Sequence, residues 1–118
     1  MTTSFKTLRI LQLAVFTGGV MLAGAVSASA QDVKKGEQVY AAQKCATCHS
    51  IAGKGKKTNP LDGVGAKLSA DEIKQWIVDP KGMTAKAKST KKPPMPAKYD
   101  KLPAADIDAL VAYMASLK

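Results

Sequence analysis

Cysteine and histidine are scarce in this 118-residue chain: two cysteines, at 45 and 48, and one histidine, at 49. No cysteine is spare for the disulfide framework that staples many small domains. Beyond these three residues, no Cys or His is left to complete a four-ligand zinc site. Arginine occurs once, at position 9. Past residue 30 the aromatics are only Tyr40, Trp76, Tyr99 and Tyr113, which provides no stacking array for nucleic acid. That part of the chain also lacks runs of alternating or continuous β-branched residues, so no βαβ pattern is expected. No repeat is present. Acidic residues number 9 against 18 basic ones, a formal charge of +9.

What is present begins with an N-terminal leader. MTTSFKTLRILQLAVFTGGVMLAGAVSASA has a basic start with Lys6 and Arg9, an uncharged run from Ile10 to Ala30, and a small-x-small ending at Ala28-Ser29-Ala30. That pattern reads as a secretory signal peptide, residues 1–30, cut after Ala30, with export to the periplasm. The competing reading is an uncleaved anchor, since the 17 residues from Ile10 to Val26 approach the lower limit for a membrane span. Gly18, Gly19 and the Ala/Ser tail favour cleavage, leaving no stable membrane insertion. The remaining 88 residues, 31–118, form one domain with a formal charge of +7 once Lys6 and Arg9 are removed. A domain of this size often needs a staple.

The scarce residues are concentrated in Cys45-Ala-Thr-Cys48-His49. Scattered at random, two cysteines and one histidine would take this order on the order of once in 10⁴ trials, so the cluster is a site. Three chemistries use such residues: a redox dithiol, part of a zinc site, or covalent attachment of c-type haem. The dithiol usually sits in a βαβ context, and the zinc site lacks a ligand. On a helical turn Cys45 and Cys48 share a face at i, i+3, and His49 falls beside them, so one flat macrocycle can meet all three. Haem packed on this turn would serve as the core.

The remaining pattern is helical. Asp32 is placed to cap a first helix through Val33, Val39 and Tyr40, in which Gly36 suggests a close helix crossing. Ser69 and Glu72 form a capping box, flanked by Leu68 and Ile73 as a hydrophobic staple. Trp76 and Ile77 continue that helix until Asp79-Pro80 ends it. Ile107, Leu110, Val111, Met114 and Leu117 give the stripe of a last helix. Residues 51–65 and 85–103 read as loops, glycine-rich and basic, proline-rich respectively.

Together the leader, Gly36 and Tyr40, Cys45-x-x-Cys48-His49, Asn59-Pro60-Leu61, a late Met-Pro and the final amphipathic helix resemble a small exported class I cytochrome c over residues 32–118. The resemblance implies an all-α fold of three to four helices and long loops around one covalently attached haem c. It places Gly36 and Tyr40 against Leu110, Tyr113 or Met114. Gly36 and Tyr40 lie one residue farther from Cys45 than in many family members, so a bulge is expected at the end of the first helix. The resemblance also implies that Pro60 supports His49 by accepting a hydrogen bond from the ring through its carbonyl.

For the second axial ligand the candidates are Met83, Met95 and Met114. Met114 belongs to the apolar stripe of the last helix. Met95 is favoured over Met83 because its flanking prolines stiffen the loop and because it matches the family's Met-Pro. Trp76 is a candidate donor to a haem propionate. The iron ligands are then His49 and Met95, which leave no open position, so the expected function is one-electron transfer rather than enzymatic catalysis. Alternatives are a haem-bearing subunit or relay domain of a larger oxidoreductase, or an open-site haem enzyme; the last lacks a distal His or Arg. The expected partners of this monomer are redox proteins with acidic docking surfaces, not nucleic acid. Lysines 54, 56 and 57 and lysines 86, 88, 91 and 92 are expected around the exposed haem edge.

Overall fold

The computed structural model describes residues 29–118. The leader thus lies outside the described residues except for Ser29 and Ala30. In chain order the α-helices are α1 (Ala30–Ala42), α2 (Val64–Lys67), α3 (Ala70–Val78), α4 (Pro80–Lys86) and α5 (Ala104–Ser116). A two-stranded hairpin, β1 (Ser50–Ile51) and β2 (Lys54–Gly55), and 3₁₀ turns at Cys45–Thr47 and Tyr99–Lys101 complete the elements. The fold is all-α, with five α-helices among the described residues where three to four were expected. Helix α4 is additional to the expected elements: Asp79 ends α3 and also caps α4, its carboxylate accepting from the Gly82 N–H at 3.0 Å, with Pro80 at the first helical position. No helix among the described residues is long and apolar enough to cross a membrane.

The first helix starts earlier than Asp32. Ser29 is its N-cap, and Asp32 is the third helical residue, its carboxylate accepting from the Ser29 N–H at 3.2 Å while the Ser29 hydroxyl accepts from the Asp32 N–H. Asp32 therefore acts as the reciprocal half of a capping box. The Ser69–Glu72 box at α3 is present as expected, and Leu68 and Ile73 both pack into the core.

The core is centred on α5, which touches α1, α2 and α3. Val39, Ile73, Ile77, Ile107, Leu110 and Met114 form its buried cluster. Fully burying a side chain such as Leu110 or Ile73 contributes about 1.5–3 kcal/mol. The crossing of α1 and α5 depends on Gly36, where an added Cβ would collide with the Ala109 carbonyl and the Tyr113 Cβ. Gly65 brings α2 equally near the Ala115 carbonyl. Beside the first crossing Tyr40 meets Tyr113 edge-on, with ring centroids 5.8 Å apart at 75°. Val111 and Leu117 are only half-buried, whereas Ala109 and Ala112 are buried. Small residues are needed where helices approach closely, and a stripe drawn from large apolar residues overlooks them. Surface pairs Lys35–Asp106 and Lys74–Asp108, each at 2.9 Å, tie the start of α5 to α1 and α3.

Candidate functional site

Helix α1 runs regularly to its end, where the Gln43 N–H still donates to the Val39 carbonyl at 2.8 Å. The expected bulge is absent. Just beyond the helix Lys44 takes a left-handed conformation at φ +56 while its N–H donates to the Ala41 carbonyl. Such a conformation costs a non-glycine residue roughly 1–2 kcal/mol. It turns the chain so that Cys45-Ala-Thr leaves the helix axis as a tight 3₁₀ turn, closed by the Cys48 and His49 N–H groups donating to the Cys45 carbonyl at 3.1 and 3.0 Å.

A second segment braces this turn from below. The β1–β2 hairpin reverses through Ala52 and Gly53, both at positive φ, which brings Gly55 beneath the cysteine turn. At φ +103, with the His49 and Ala46 carbonyls where a Cβ would point, position 55 has room only for glycine. The next N–H, that of Lys56, donates to both the Ala46 and His49 carbonyls, at 3.1 and 3.0 Å. The Ala52 N–H donates to the Asp62 carboxylate at 2.8 Å, closing the loop.

His49 Nδ1 lies 3.1 Å from the Asn59 carbonyl. A carbonyl only accepts, so Nδ1 is the donor, and Nε2 is the ring nitrogen left for another partner. This corrects the expected role of Pro60: the accepting carbonyl belongs to the preceding residue. Ser50 and Pro60 form a parallel bridge in which the Ser50 N–H donates to the Asn59 carbonyl and the Leu61 N–H to the Ser50 carbonyl. On extended backbone, residues 59 and 61 present these groups to the same side, and the carbonyl of residue 60 faces away. Proline fits between them because no N–H is needed there.

These elements open onto one cavity of about 1210 Å³, somewhat larger than the roughly 300–1,000 Å³ of ordinary ligand pockets. Cys45, Cys48, His49, Pro60, Trp76 and Met95 all line it. Met114 does so too, while remaining buried in the core. Met83, half-buried on α4, is not part of the wall. The rest is largely apolar, with Leu61, Leu68, Ile73, Ile77 and Leu110 contributing. Of the lysines expected near the opening, Lys88 and Lys91 line the cavity; Lys54, Lys56, Lys57, Lys86 and Lys92 do not. Lys44, Lys67 and Lys98 join them instead.

Electrostatics separate the candidate chemistries. Both cysteines are free and half-buried. Burial pushes the Cys45 thiol up, against a smaller lowering by a backbone hydrogen bond and by Lys98, the reverse of the depressed thiol in a reactive dithiol. Among the described residues no three His, Cys, Asp or Glu side chains are grouped so as to hold a metal ion. Burial, with the two nearby cysteines, also raises Tyr99 at the cavity wall, and Lys98 stands 5.3 Å from the centre of its ring. A large apolar hollow with two thiols and an oriented imidazole on one wall, and a thioether also in its lining, suits a flat apolar macrocycle with an iron centre.

Three contributors were not singled out from the sequence: the Asn59 carbonyl, Gly55 and Tyr99. Gly55 left a trace in the A-G-K-G run just after the cysteine motif. Backbone carbonyls leave none, because any residue supplies one. In comparison with known proteins, the family model described as "Cytochrome c" matches residues 33–118. No curated protein and no solved structure matched the chain.

Proposed function

The chain belongs to the cytochrome c family, whose work is haem-based electron transfer, and we propose that it is a periplasmic one-electron carrier with one haem c, ligated by His49 and Met95. Covalent attachment is assigned to Cys45 and Cys48. Bound there, the haem supplies an iron that alternates between ferrous and ferric states. A thioether ligand from Met95 together with the His49 imidazole would favour the ferrous state and leave no site for a substrate, which suits a carrier rather than an enzyme.

The observation that carries this reading is the shared cavity wall: both thiols, His49 and Met95 line it, and Met83 does not. The protein's own groups have defined tasks. The Asn59 carbonyl fixes the His49 tautomer and ring orientation, the kind of outer contact that makes an imidazole ligand more basic. The apolar lining excludes water, and fixed ligands limit rearrangement between oxidation states. Trp76, half-buried on the wall, is assigned as a propionate donor through its indole N–H. Pro60 lines the wall, and the carbonyl beside His49 is that of Asn59. Lys44, Lys67, Lys88, Lys91 and Lys98 give the cavity a basic margin suited to an acidic partner surface.

An optical spectrum of the purified protein tests the ligand set. The oxidised protein should show the weak sulfur-to-iron charge-transfer band at the red end of the spectrum. Met95→Ala should abolish it and lower the reduction potential, while Met83→Ala should leave both unchanged. Loss of the band in Met83→Ala alone would move the ligand to Met83. A wild type without the band that binds cyanide at once would favour an open-site haem enzyme.

A further inference from the structure

The N-cap of α1, Ser29, lies two residues before Gln31, the residue with which the chain is expected to start once its leader is removed. Every polar group of Ser29 is engaged in the helix start. Its hydroxyl and its N–H donate to the Asp32 carboxylate, at 2.7 and 3.2 Å, and the hydroxyl also accepts from the Asp32 N–H at 3.2 Å. A hydroxyl has one proton and two lone pairs, so it fills both roles. The Ser29 carbonyl accepts from the Asp32 and Val33 N–H groups at 3.0 and 3.2 Å. A cut after Ala30 deletes all of these bonds, whereas a cut after Ala28 keeps them.

The sequence independently offers that second cut. A leader peptidase reads compact residues at the third and first positions before the bond it cleaves. Val26-Ser27-Ala28 supplies valine and alanine there, as Ala28-Ser29-Ala30 supplies two alanines. Backbone shape separates the two bonds. A peptide seated in a strand-like groove is extended, and Ser29 is extended at φ −66 and ψ 154, whereas Ala30 and Gln31 are already helical. Once the first turn has formed, the Ala30–Gln31 bond is wound into it, and the Ala28–Ser29 bond precedes it. The capping box links residues three apart, so it requires no docking of α1 onto α5. We propose that the leader is removed at the Ala28–Ser29 bond, so that the mature protein starts at Ser29 and keeps the cap of α1. Water adds across this bond in the peptidase: Ala28 leaves as a carboxylate, and Ser29 retains an α-ammonium. The Ser29 nitrogen, 3.2 Å from the Asp32 carboxylate, then carries a positive charge that this carboxylate offsets beside the positive end of the helix dipole.

This inference rests on the exported reading, and one preparation tests the two separately. Cells making the full chain are fractionated, and the protein is analysed by intact mass and N-terminal sequencing. Periplasmic protein starting at Ser29 is the expected result. Full-length chain confined to the cytoplasm removes the exported reading and the proposal with it. Periplasmic protein starting at Gln31, read directly or as the cyclised form lighter by one ammonia, leaves export intact and overturns the proposal; so does exported chain with its leader uncut. Stability gives a second readout. In the haem-loaded mature protein, Ser29→Ala should raise the unfolding equilibrium constant roughly fivefold in guanidinium titrations, the usual effect of losing an N-cap side chain. A variant as stable as the wild type overturns the proposal, because that is the result for a mature chain from which residue 29 has been removed.

Discussion

The crossing of α1 and α5 and the loops around the cavity are held together in different ways. At the crossing the protein closes on itself: Gly36 lies against the Ala109 carbonyl, Tyr40 against Tyr113, and Lys35 reaches Asp106 at 2.9 Å. Around the cavity, side chains such as Met95, Trp76 and Tyr99 line space, and order comes from backbone hydrogen bonds made by Lys56, Asn59 and Leu61. Half of the domain thus carries its own packing, and the other half is built to be completed by a group it does not encode. Small domains at the limit of self-sufficient cores commonly rely on such completion.

The strongest way to break this contrast is to remove the attachment points. Cys45→Ala combined with Cys48→Ala should abolish accumulation of folded holoprotein, judged by covalent haem staining and by near-ultraviolet circular dichroism. A stable folded apoprotein from this variant would mean that the cavity half needs no cofactor. Two glycines then sharpen the contrast. Gly36→Ala forces a Cβ onto the α5 backbone and should cost about 1–3 kcal/mol in chemical denaturation, the usual range for overpacking. Its oxidised spectrum should keep the sulfur-to-iron band. Gly55→Ala meets both a positive φ and the His49 carbonyl, so it should disturb the ligand spectrum as well as stability. Identical spectra for the two variants would show that the hairpin does not hold the His49 turn.

The same division explains what the sequence disclosed. Regions that pack by side-chain pattern were legible: Ser69–Glu72 announced α3, and Ile107, Leu110 and Met114 announced α5. Gly36 was legible because a glycine inside a helical pattern needs a reason. The Cys45–His49 cluster was accessible to chemistry alone, and Met95, which also lines the cavity, was singled out by its flanking prolines and the family's Met-Pro. Backbone geometry was not. The left-handed Lys44 that turns the chain out of α1, the Asn59 carbonyl that displaces Pro60 from its expected role, and the margin formed by Lys44, Lys67 and Lys98 depend on where the chain turns. Residue type does not encode those directions. Ser29 belongs to a different case: it reads equally well as the end of a leader and as a helix cap, and the cap is visible only when the helix is built.

A smaller effect probes the self-packed half. Ser69→Ala removes one side of the α3 capping box and should cost about 1 kcal/mol. The box also carries a pH dependence. Hydrogen bonding to the Ser69 backbone N–H, then to its hydroxyl, lowers the Glu72 pKa from its ordinary value. A carboxylate with a depressed folded pKa contributes stability above its unfolded value, about 4.3, and that contribution is lost as pH falls through the folded value. Acid titration of stability should therefore show a step below about pH 4.3 that weakens in Ser69→Ala. An unchanged step would assign it to other carboxylates.

The least effect on the fold, and a direct test of the open face, concerns lysine. Lys88 and Lys91 line the cavity, whereas Lys56 and Lys57 lie in the other loop and do not. If the cavity margin steers an acidic redox partner, electron-transfer rates should fall as salt rises, because the Debye length shrinks from about 30 Å at 0.01 M to about 8 Å at 0.15 M. Lys88→Ala with Lys91→Ala should slow association at low salt and flatten that dependence, since charges at an interface act mainly on encounter. Lys56→Ala with Lys57→Ala removes the same total charge from a site away from the cavity, so its smaller effect would separate local steering from net charge. Equal effects of the two pairs would leave net charge as the cause, and rates indifferent to salt would remove the acidic partner altogether. Neither pair should change the unfolding midpoint appreciably, because these side chains are exposed and take no part in the core.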